Sequence, residues 1–287
     1  MHKNDDLISR QAAIDGVDDS VIRLQQGDCL ELMRRLPDKS VDLTVTSPPY
    51  DNLRTYNGNI SQWSFEKFQQ IAKELYRITD DGGAVVWIVA DATIKGSETG
   101  TSFRQVLWFM DCGFNLHDTM IWEKPNSGSV GSLNRYEQTT EYMFVLSKGK
   151  LKTANIICDK PNKRGGEIQH GSIRQADGST RKTTQYGKKK VNEYGRRHNL
   201  WMIAPEMSNT KRCHPAQFPE KLAHDHIISW SRENDTVLDC FMGSGTTGVV
   251  CVNLKRNFIG MEIEEEYFKI AKERINNARL NQQTGGD

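Results

Sequence analysis

The sequence is short of most features that would place it outside the ordinary soluble globular class. Six cysteines (Cys29, Cys112, Cys158, Cys213, Cys240, Cys251) form no C-x-x-C pair and no His/Cys cluster at metal-ligand spacing. That argues against a disulfide framework or a zinc site and for reduced thiols, so no metal is expected. No apolar run reaches the roughly 18 residues of a membrane span, and Met1-His2-Lys3-Asn4-Asp5-Asp6 lacks the apolar core of a signal peptide. The expectation is a cytoplasmic protein with no membrane partner. Net charge is nearly absent as well, at +1 for 287 residues. A chain of this length buries a core without staples and suits one large α/β domain, or a domain carrying an insertion.

What is present is charge unevenly placed. From Lys148 to His198, fourteen Lys/Arg stand against four acids, Asp159, Glu167, Asp177 and Glu193, in a chain that totals +1. The stretch is rich in Gly, Ser, Thr, Asn and Gln and poor in apolar residues after Ile157, so it forms little core of its own. It reads either as a solvated, partly disordered loop or as an insertion that neutralises phosphates; clustered positive charge on a balanced protein favours the second.

The remainder alternates between strand and helix patterns. Strands are expected at 21–25, 41–46, 84–90, 120–122, 142–146, 236–241 and 258–263. Helices are expected at 30–36, 65–75, 103–110, 218–230, 246–253 and 267–278, with Asp80-Asp81-Gly82-Gly83 as a chain break before the run Ala84 to Ala90. This alternation predicts a mainly parallel sheet covered by helices on both faces.

Ligands of such sheets gather at the carboxyl ends of strands, and three polar signals stand there. Ser47-Pro48-Pro49-Tyr50 follows the apolar run Val41 to Val45; the prolines remove two donors, hold the chain extended and leave carbonyls pointing away from the ladder. Asp239-Cys240-Phe241-Met242-Gly243-Ser244-Gly245-Thr246-Thr247-Gly248 runs from a strand through glycines into a helix, and Glu262 ends the next strand. The glycine spacing with Glu262 formally matches a dinucleotide fingerprint, so a nicotinamide oxidoreductase is a rival reading. Two features weigh against it. A carboxylate just before the glycines disfavours a pyrophosphate and suits an ammonium. Only one further strand and helix follow, too little for an ordinary dinucleotide fold. A nucleoside cofactor without phosphates fits better, and S-adenosylmethionine is one: the glycines allow close approach, and Glu262 can accept both ribose hydroxyls.

With these residues in view, the chain resembles the DNA methyltransferases that act on exocyclic amino groups. Asp239 to Thr247 looks like their cofactor motif and Thr46-Ser47-Pro48-Pro49-Tyr50 like their catalytic motif. Here the cofactor motif comes last, after the basic insertion, as in the circularly permuted β group. Gly27-Asp28 matches the family's contact to the cofactor adenine, and His214-Pro215-Ala216-Gln217-Phe218-Pro219 resembles the segment before the cofactor motif. The resemblance spans nearly the whole chain. It implies a Rossmann-like, circularly permuted α/β fold, with 1–147 as the catalytic half, 148–210 as a basic target-recognition insertion and 211–287 as the cofactor half. It puts Asp28, Cys29, Thr46, His214, Asp239, Phe241, Gly243, Gly245, Thr246, Thr247 and Glu262 around S-adenosylmethionine, and Ser47, Pro48, Pro49 and Tyr50 at the target base. Arg54, Lys163, Arg164, Arg181, Lys182, Lys188, Lys189, Lys190, Arg196 and Arg197 would meet double-stranded DNA. A homodimer, and a cognate restriction endonuclease acting on the same site, are the further partners the resemblance suggests.

The chemistry at Ser47 follows from the nature of the amine. An exocyclic amino nitrogen delocalises its lone pair into the ring; acceptors at Ser47 Oγ and the Pro48 carbonyl would hold both N–H groups and favour a more tetrahedral nitrogen. Tyr50 would stack on a base that has left the duplex, worth roughly 1–3 kcal/mol. In the family, Ser-Pro-Pro-Tyr leans toward cytosine N4 and Asp-Pro-Pro-Tyr toward adenine N6; both bases present a similar amino edge and neither is excluded. Methylation of cytosine C5 is disfavoured, because no cysteine follows any of the eight prolines. Beside this class stand the oxidoreductase, a non-catalytic DNA-binding protein, and a methylator of RNA or of a protein glutamine amide. Single residues keep plain readings too: Asp28 as a helix cap, Ser-Pro-Pro-Tyr as a rigid turn, Arg54 as half of a loop salt bridge, His214 as structural, and Cys112, Cys240, Cys251, Trp122 and Trp201 as packing.

Overall fold

The computed structural model describes residues 21–49, 63–125, 134–205 and 218–284. One sheet is built from β1 (Ile22–Gln26), β2 (Val41–Thr46), β3 (Thr79–Val89), β4 (Asn115–Glu123), β5 (Thr140–Ser147), β6 (Leu200–Met202), β7 (Thr236–Asp239) and β8 (Asn257–Glu262). Its order is β1-β8-β7-β2-β3-β5-β4-β6. Strands β1, β8, β7, β2 and β3 run parallel and β6 joins β4 in parallel, while β5 is antiparallel to both β3 and β4. The chain is thus α/β with a mostly parallel sheet.

Helices cover both faces. On one lie α1 (Cys29–Met33), α2 (Phe65–Ile78) and α3 (Thr101–Asp111); on the other lie α4 (Glu220–Trp230), α5 (Thr246–Asn253) and α6 (Glu265–Thr284). Helix α2 shows why. Phe68, Ile71, Ala72, Leu75 and Ile78 recur at helical spacing and are all buried, and Ser64 caps the first turn by accepting the Lys67 N–H at 3.1 Å. Each such large apolar side chain contributes roughly 1.5–3 kcal/mol on burial, far more than the cap. They pack against Val85 and Trp87 of β3, while Leu43, Val45 and Val86 point the other way, toward Ile227, Val250 and Ile275.

The expected break at Asp80-Asp81-Gly82-Gly83 is instead part of β3. Pairing with β2 jumps from Val41–Thr79 to Leu43–Ala84, which is a bulge. Gly82 takes φ 78°, and a Cβ on Gly83 would stand 2.8 Å from the Asp42 carbonyl oxygen. Gly82 N–H donates to Lys148 O at 2.7 Å and Lys148 N–H to Gly83 O at 3.0 Å, so the ladder continues through the glycines. Strand β7 stops at Asp239, two residues before the expected end, where the chain turns into the glycine loop.

The chain divides into two compact units, Met1–Asn155 with Leu200–Asp287, and Ile156–Asn199. The second is made of short antiparallel pairs, Lys160–Pro161 with Tyr194–Gly195 and Ser172–Arg174 with Thr180–Lys182, plus a bridge between Ile168 and Lys190. It is held by backbone hydrogen bonds rather than by a core. Lys148 and Lys152, from the basic stretch, belong to the sheet unit: Lys148 Nζ donates to the Tyr76 and Thr79 carbonyls at 2.7 and 2.8 Å, and Lys152 pairs with Asp42 and Asp80. Among the described residues, no helix is long and apolar enough to cross a membrane.

His226 in α4 gives the fold a pH dependence. It is fully buried, 4.6 Å from the Trp201 ring, and its Nδ1 accepts the Trp230 indole N–H at 3.3 Å. Burial pushes its pKa down to about 3. An unfolded histidine titrates near 6.5, so this contribution to stability is complete above pH 6.5 and is lost as pH falls toward 3. Urea unfolding of wild type and His226→Gln at pH 7.5 and 5 should show the pH-induced loss shrinking by about 2 kcal/mol in the variant. Equal losses in the two proteins would remove His226 as the cause.

Candidate active site

The strand order creates a switch point between β7 and β2. From β7 the chain passes through α5 to β8 on one side; from β2 it passes through α2 to β3 on the other, with the two helices on opposite faces. Open α/β sheets bind ligands in the crevice at the carboxyl ends of such strands. Thr46 and Asp239 end β2 and β7, and Thr46 Oγ1 donates to Asp239 Oδ1 across the crevice at 2.7 Å. Asp239 also accepts the Phe241 N–H at 3.2 Å and the Thr247 hydroxyl at 2.7 Å. At 1% exposure, burial raises its carboxyl to about 6, and these three donors offset that only in part.

Glu262 closes β8 beside it. Its Oε2 accepts the Gly243 N–H and its Oε1 the Glu264 N–H, both at 2.8 Å. Burial raises its carboxyl, the backbone donors oppose this, and the Asp239 charge raises it again. Among the described residues no Lys or Arg pairs with either acid. The crevice therefore holds two buried carboxylates that, among the described residues, make no ion pair with a Lys or Arg.

The glycines have separate jobs. Gly243 and Gly245 take φ 53° and 84°, which suits glycine. Gly245 is the N-cap of α5 and makes no side-chain cap hydrogen bond, and Thr246 begins the helix. Gly248 serves packing: a Cβ there would stand 2.4 Å from Ile275 Cδ1 and 2.7 Å from the Phe258 ring. Gly248→Ala should overpack this contact and cost about 1–3 kcal/mol, read as a lower thermal midpoint. An unchanged midpoint would contradict that reading.

Asp28 and Cys29 reach the same end of the sheet because Gln26 pairs with Glu262 and Gly27 N–H donates to Glu262 O at 2.9 Å. Asp28 is the helix cap, accepting the N–H groups of Leu30 at 3.0 Å and Glu31 at 3.3 Å, and it also pairs with Lys67 Nζ at 2.5 Å. Burial works against its charge, but Lys67 and the two N–H groups together hold its carboxyl below the ordinary value. Burial, then the neighbouring Asp28 charge, pushes the Cys29 thiol up to about 12, so it is a neutral thiol.

Ser47, Pro48 and Pro49 follow Thr46 directly, with Pro48 buried and its neighbours half-buried. Phe241, at the mouth of the glycine loop, meets Trp63 edge-on at 5.6 Å and Trp87 at 6.2 Å. Tyr50, Arg54 and His214 lie outside the described residues. Sequence reading missed three residues around the crevice: Trp63, Lys67, and Arg274 of α6, whose guanidinium donates to Ser244 O at 2.7 Å and to Glu220 at 3.1 Å. No motif carries them, since each arrives by tertiary packing.

Apart from Arg54, the basic residues expected at DNA fall in the Ile156–Asn199 unit and divide in two groups. Arg164 is engaged with Glu167 at 2.8 Å, Arg197 with Asp159 at 2.9 Å, and Lys182 stands over the Tyr186 ring at 4.5 Å. Lys163, Arg181, Lys188, Lys189, Lys190 and Arg196 have no side-chain partner among the described residues.

An acid-lined glycine loop at a switch point, beside Ser-Pro-Pro on the adjoining strand, forms a crevice suited to a nucleoside-type small molecule on a Rossmann-like sheet. The sequence matches the DNA methylase family, N6_N4_Mtase, over residues 41–273. The orphan methyltransferase M.BamHII of Bacillus amyloliquefaciens is 50% identical over 253 residues, covering 86% of this chain and 92% of that one. The Type II methyltransferase M.BglII of Bacillus subtilis is 29% identical over 263 residues, covering 87% and 67%. Among solved structures, PvuII DNA methyltransferase (cytosine-N4-specific) aligns with a TM-score of 0.65 at 22% identity, covering 93% of this chain and 94% of that one. The M1.HpyAVI–SAM complex aligns with a TM-score of 0.59 at 26% identity, covering 89% and 100%. The chain belongs to the S-adenosylmethionine-dependent DNA amino-methyltransferases that act on N6 or N4.

Proposed function

We propose that this protein methylates N4 of a cytosine flipped out of double-stranded DNA at a specific site. The observation that carries the reading is the crevice: two buried carboxylates with no Lys or Arg partner among the described residues, next to Ser47-Pro48-Pro49 on the adjoining strand. S-adenosylmethionine, when bound, supplies an electrophilic sulfonium methyl. Its residues fit. Asp239 suits an α-ammonium, whose charge would offset the cost of burying the carboxylate. The positive end of α5, which begins just after Gly245, suits an α-carboxylate. Each Glu262 oxygen takes one backbone N–H and keeps a lone pair for a ribose hydroxyl. Asp28, at the end of β1, suits an adenine amino group. A pyrophosphate does not fit, because two buried acids would repel it.

On the target side, Ser47 Oγ and the Pro48 carbonyl hold the two N–H groups of the amine and turn its lone pair outward. Phe241 and Trp63 offer aromatic surface, joined by Tyr50. Ser47 is neutral and both donates and accepts, so it can serve the ring nitrogen beside the amino group of either base; the choice of cytosine rests on the Ser-Pro-Pro-Tyr motif, which leans toward N4 in the family. The Ile156–Asn199 unit serves as the target-recognition element, its unpaired cations neutralising phosphates. The orphan name of the 50% identical relative favours action without a cognate endonuclease.

The test is incubation with mixed-sequence duplex DNA and methyl-labelled S-adenosylmethionine, digestion to nucleosides and mass spectrometry. N4-methylcytosine is the expected product. Labelled N6-methyladenine would overturn the choice of base, and no cofactor binding by calorimetry would overturn the site.

A further inference from the structure

The strands Ser172–Arg174 and Thr180–Lys182 form a free-standing antiparallel ribbon whose six residues are all exposed. Its turn is closed from within. Gln175 N–H donates to Ser179 O at 2.7 Å, Gly178 N–H to Gln175 O at 3.0 Å, and Asp177 accepts the Ser179 N–H at 2.9 Å and hydroxyl at 2.7 Å. The acid of the turn is thereby used up by the turn itself. Pairing sets Arg174 opposite Thr180 and Ser172 opposite Lys182 on one face, and Ile173 opposite Arg181 on the other. Lys182 stands 4.5 Å over the Tyr186 ring, which meets His170 edge-on at 5.1 Å, bracing the foot of the ribbon.

Neither Arg174 nor Arg181 has an ion-pair or hydrogen-bond partner among the described residues. Arg164 and Arg197 of the same unit are taken up by Glu167 and Asp159. A ribbon that buries nothing has little to do in holding the fold, yet its backbone is well specified. The two free guanidiniums are rigid forks suited to planar, bidentate acceptors, whereas Lys188, Lys189 and Lys190 are point charges suited to phosphates. The major groove of B-DNA admits a two-stranded ribbon, and arginine bidentate to guanine O6 and N7 is the commonest base-specific contact there.

Resting on the reading of this chain as a DNA methyltransferase, we propose that the 172–182 ribbon enters the major groove with the face that carries Arg174 and Lys182, and that Arg174 reads a guanine of the recognition site, Arg181 lying on the opposite face. The experiment compares wild type with Arg174→Ala, Arg181→Ala and the Lys variant at each position. Methylated positions are mapped on genomic DNA, and binding to random-sequence duplex is measured across salt concentrations. Arg174→Ala should lose roughly 10–100-fold in kcat/KM on the wild-type site and spread methylation to sites differing at one guanine, whereas Arg181→Ala, on the opposite face, should keep the site preference. Arg174→Lys should keep the salt dependence of non-specific binding but not the site preference. S-adenosylmethionine affinity should stay unchanged, which separates a reading defect from a folding defect. A uniform loss on all sequences, restored by lysine, would assign Arg174 to phosphates and overturn the proposal, as would an unchanged site preference in the double Ala variant. A wild-type protein that methylates no DNA would instead remove the methyltransferase reading, and this inference with it.

Discussion

Asp239→Asn is expected to weaken S-adenosylmethionine binding by roughly 10- to 100-fold, the scale of a hydrogen bond to a charged group, while stabilising the cofactor-free protein above pH 6. The carboxylate is buried at the end of β7, with the Thr46 and Thr247 hydroxyls and the Phe241 N–H as its partners and no cation among the described residues. Its carboxyl is raised from 3.8 to about 6. A group whose folded pKa is raised contributes stability that is whole below pH 3.8 and lost as pH rises through 6, about 3 kcal/mol in all. Asparagine keeps the shape, and the two threonine hydroxyls can rotate to serve an amide. Scanning calorimetry should therefore show the variant melting higher than wild type at pH 8, with the two converging at pH 4. Titration calorimetry should show wild-type affinity falling below pH 6, as the carboxylate takes up a proton, and no such fall in the variant. Normal affinity in the variant at pH 8 would remove Asp239 from the ammonium site.

The parts of this site that could be read in the sequence share one property: they stand at the ends of apolar runs. Val41 to Val45 delivers Ser47, Val237-Leu238 delivers Asp239, and Phe258 to Met261 delivers Glu262; parallel strands buried on both faces leave polar residues nowhere else to go. Direction was not legible in the same way. The antiparallel course of β5 between β3 and β4 depends on pairing, which periodicity does not encode. Strand β6 is three residues long and buries only Trp201, too little pattern to detect. The bulge at Gly82-Gly83 mimics a turn in composition and differs from one only in its neighbours. Asp28 caps α1, as one of its two readings has it, and the cap stands at the carboxyl end of β1, where the adenine contact is part of the proposal. Lys67 and Arg274 come from α2 and α6 and meet the site through packing alone.

Tyr50→Ala is expected to lower kcat/KM on duplex DNA by roughly 10- to 100-fold, the range of one lost base–aromatic stack, and to leave cofactor affinity unchanged. The flipped base has lost both its partner and its neighbours in the stack, so an aromatic face at the catalytic turn offsets part of that cost at the moment the amine must be held. Under the proposed function Ser47 and Pro48 would hold the amine by its hydrogens, which fixes the nitrogen but leaves the ring plane free to tilt; an aromatic face would fix the plane. Tyr50→Phe and Tyr50→Trp should therefore restore most of the rate, because the face and not the hydroxyl is needed. A substrate with the target base already mismatched, and so cheaper to flip, should lose less on Tyr50→Ala than a fully paired one. Single-turnover rates on the two duplexes read the difference. Equal losses on paired and mismatched DNA would assign Tyr50 to positioning of the amine rather than to the cost of flipping, and an unaffected rate would take it out of the site.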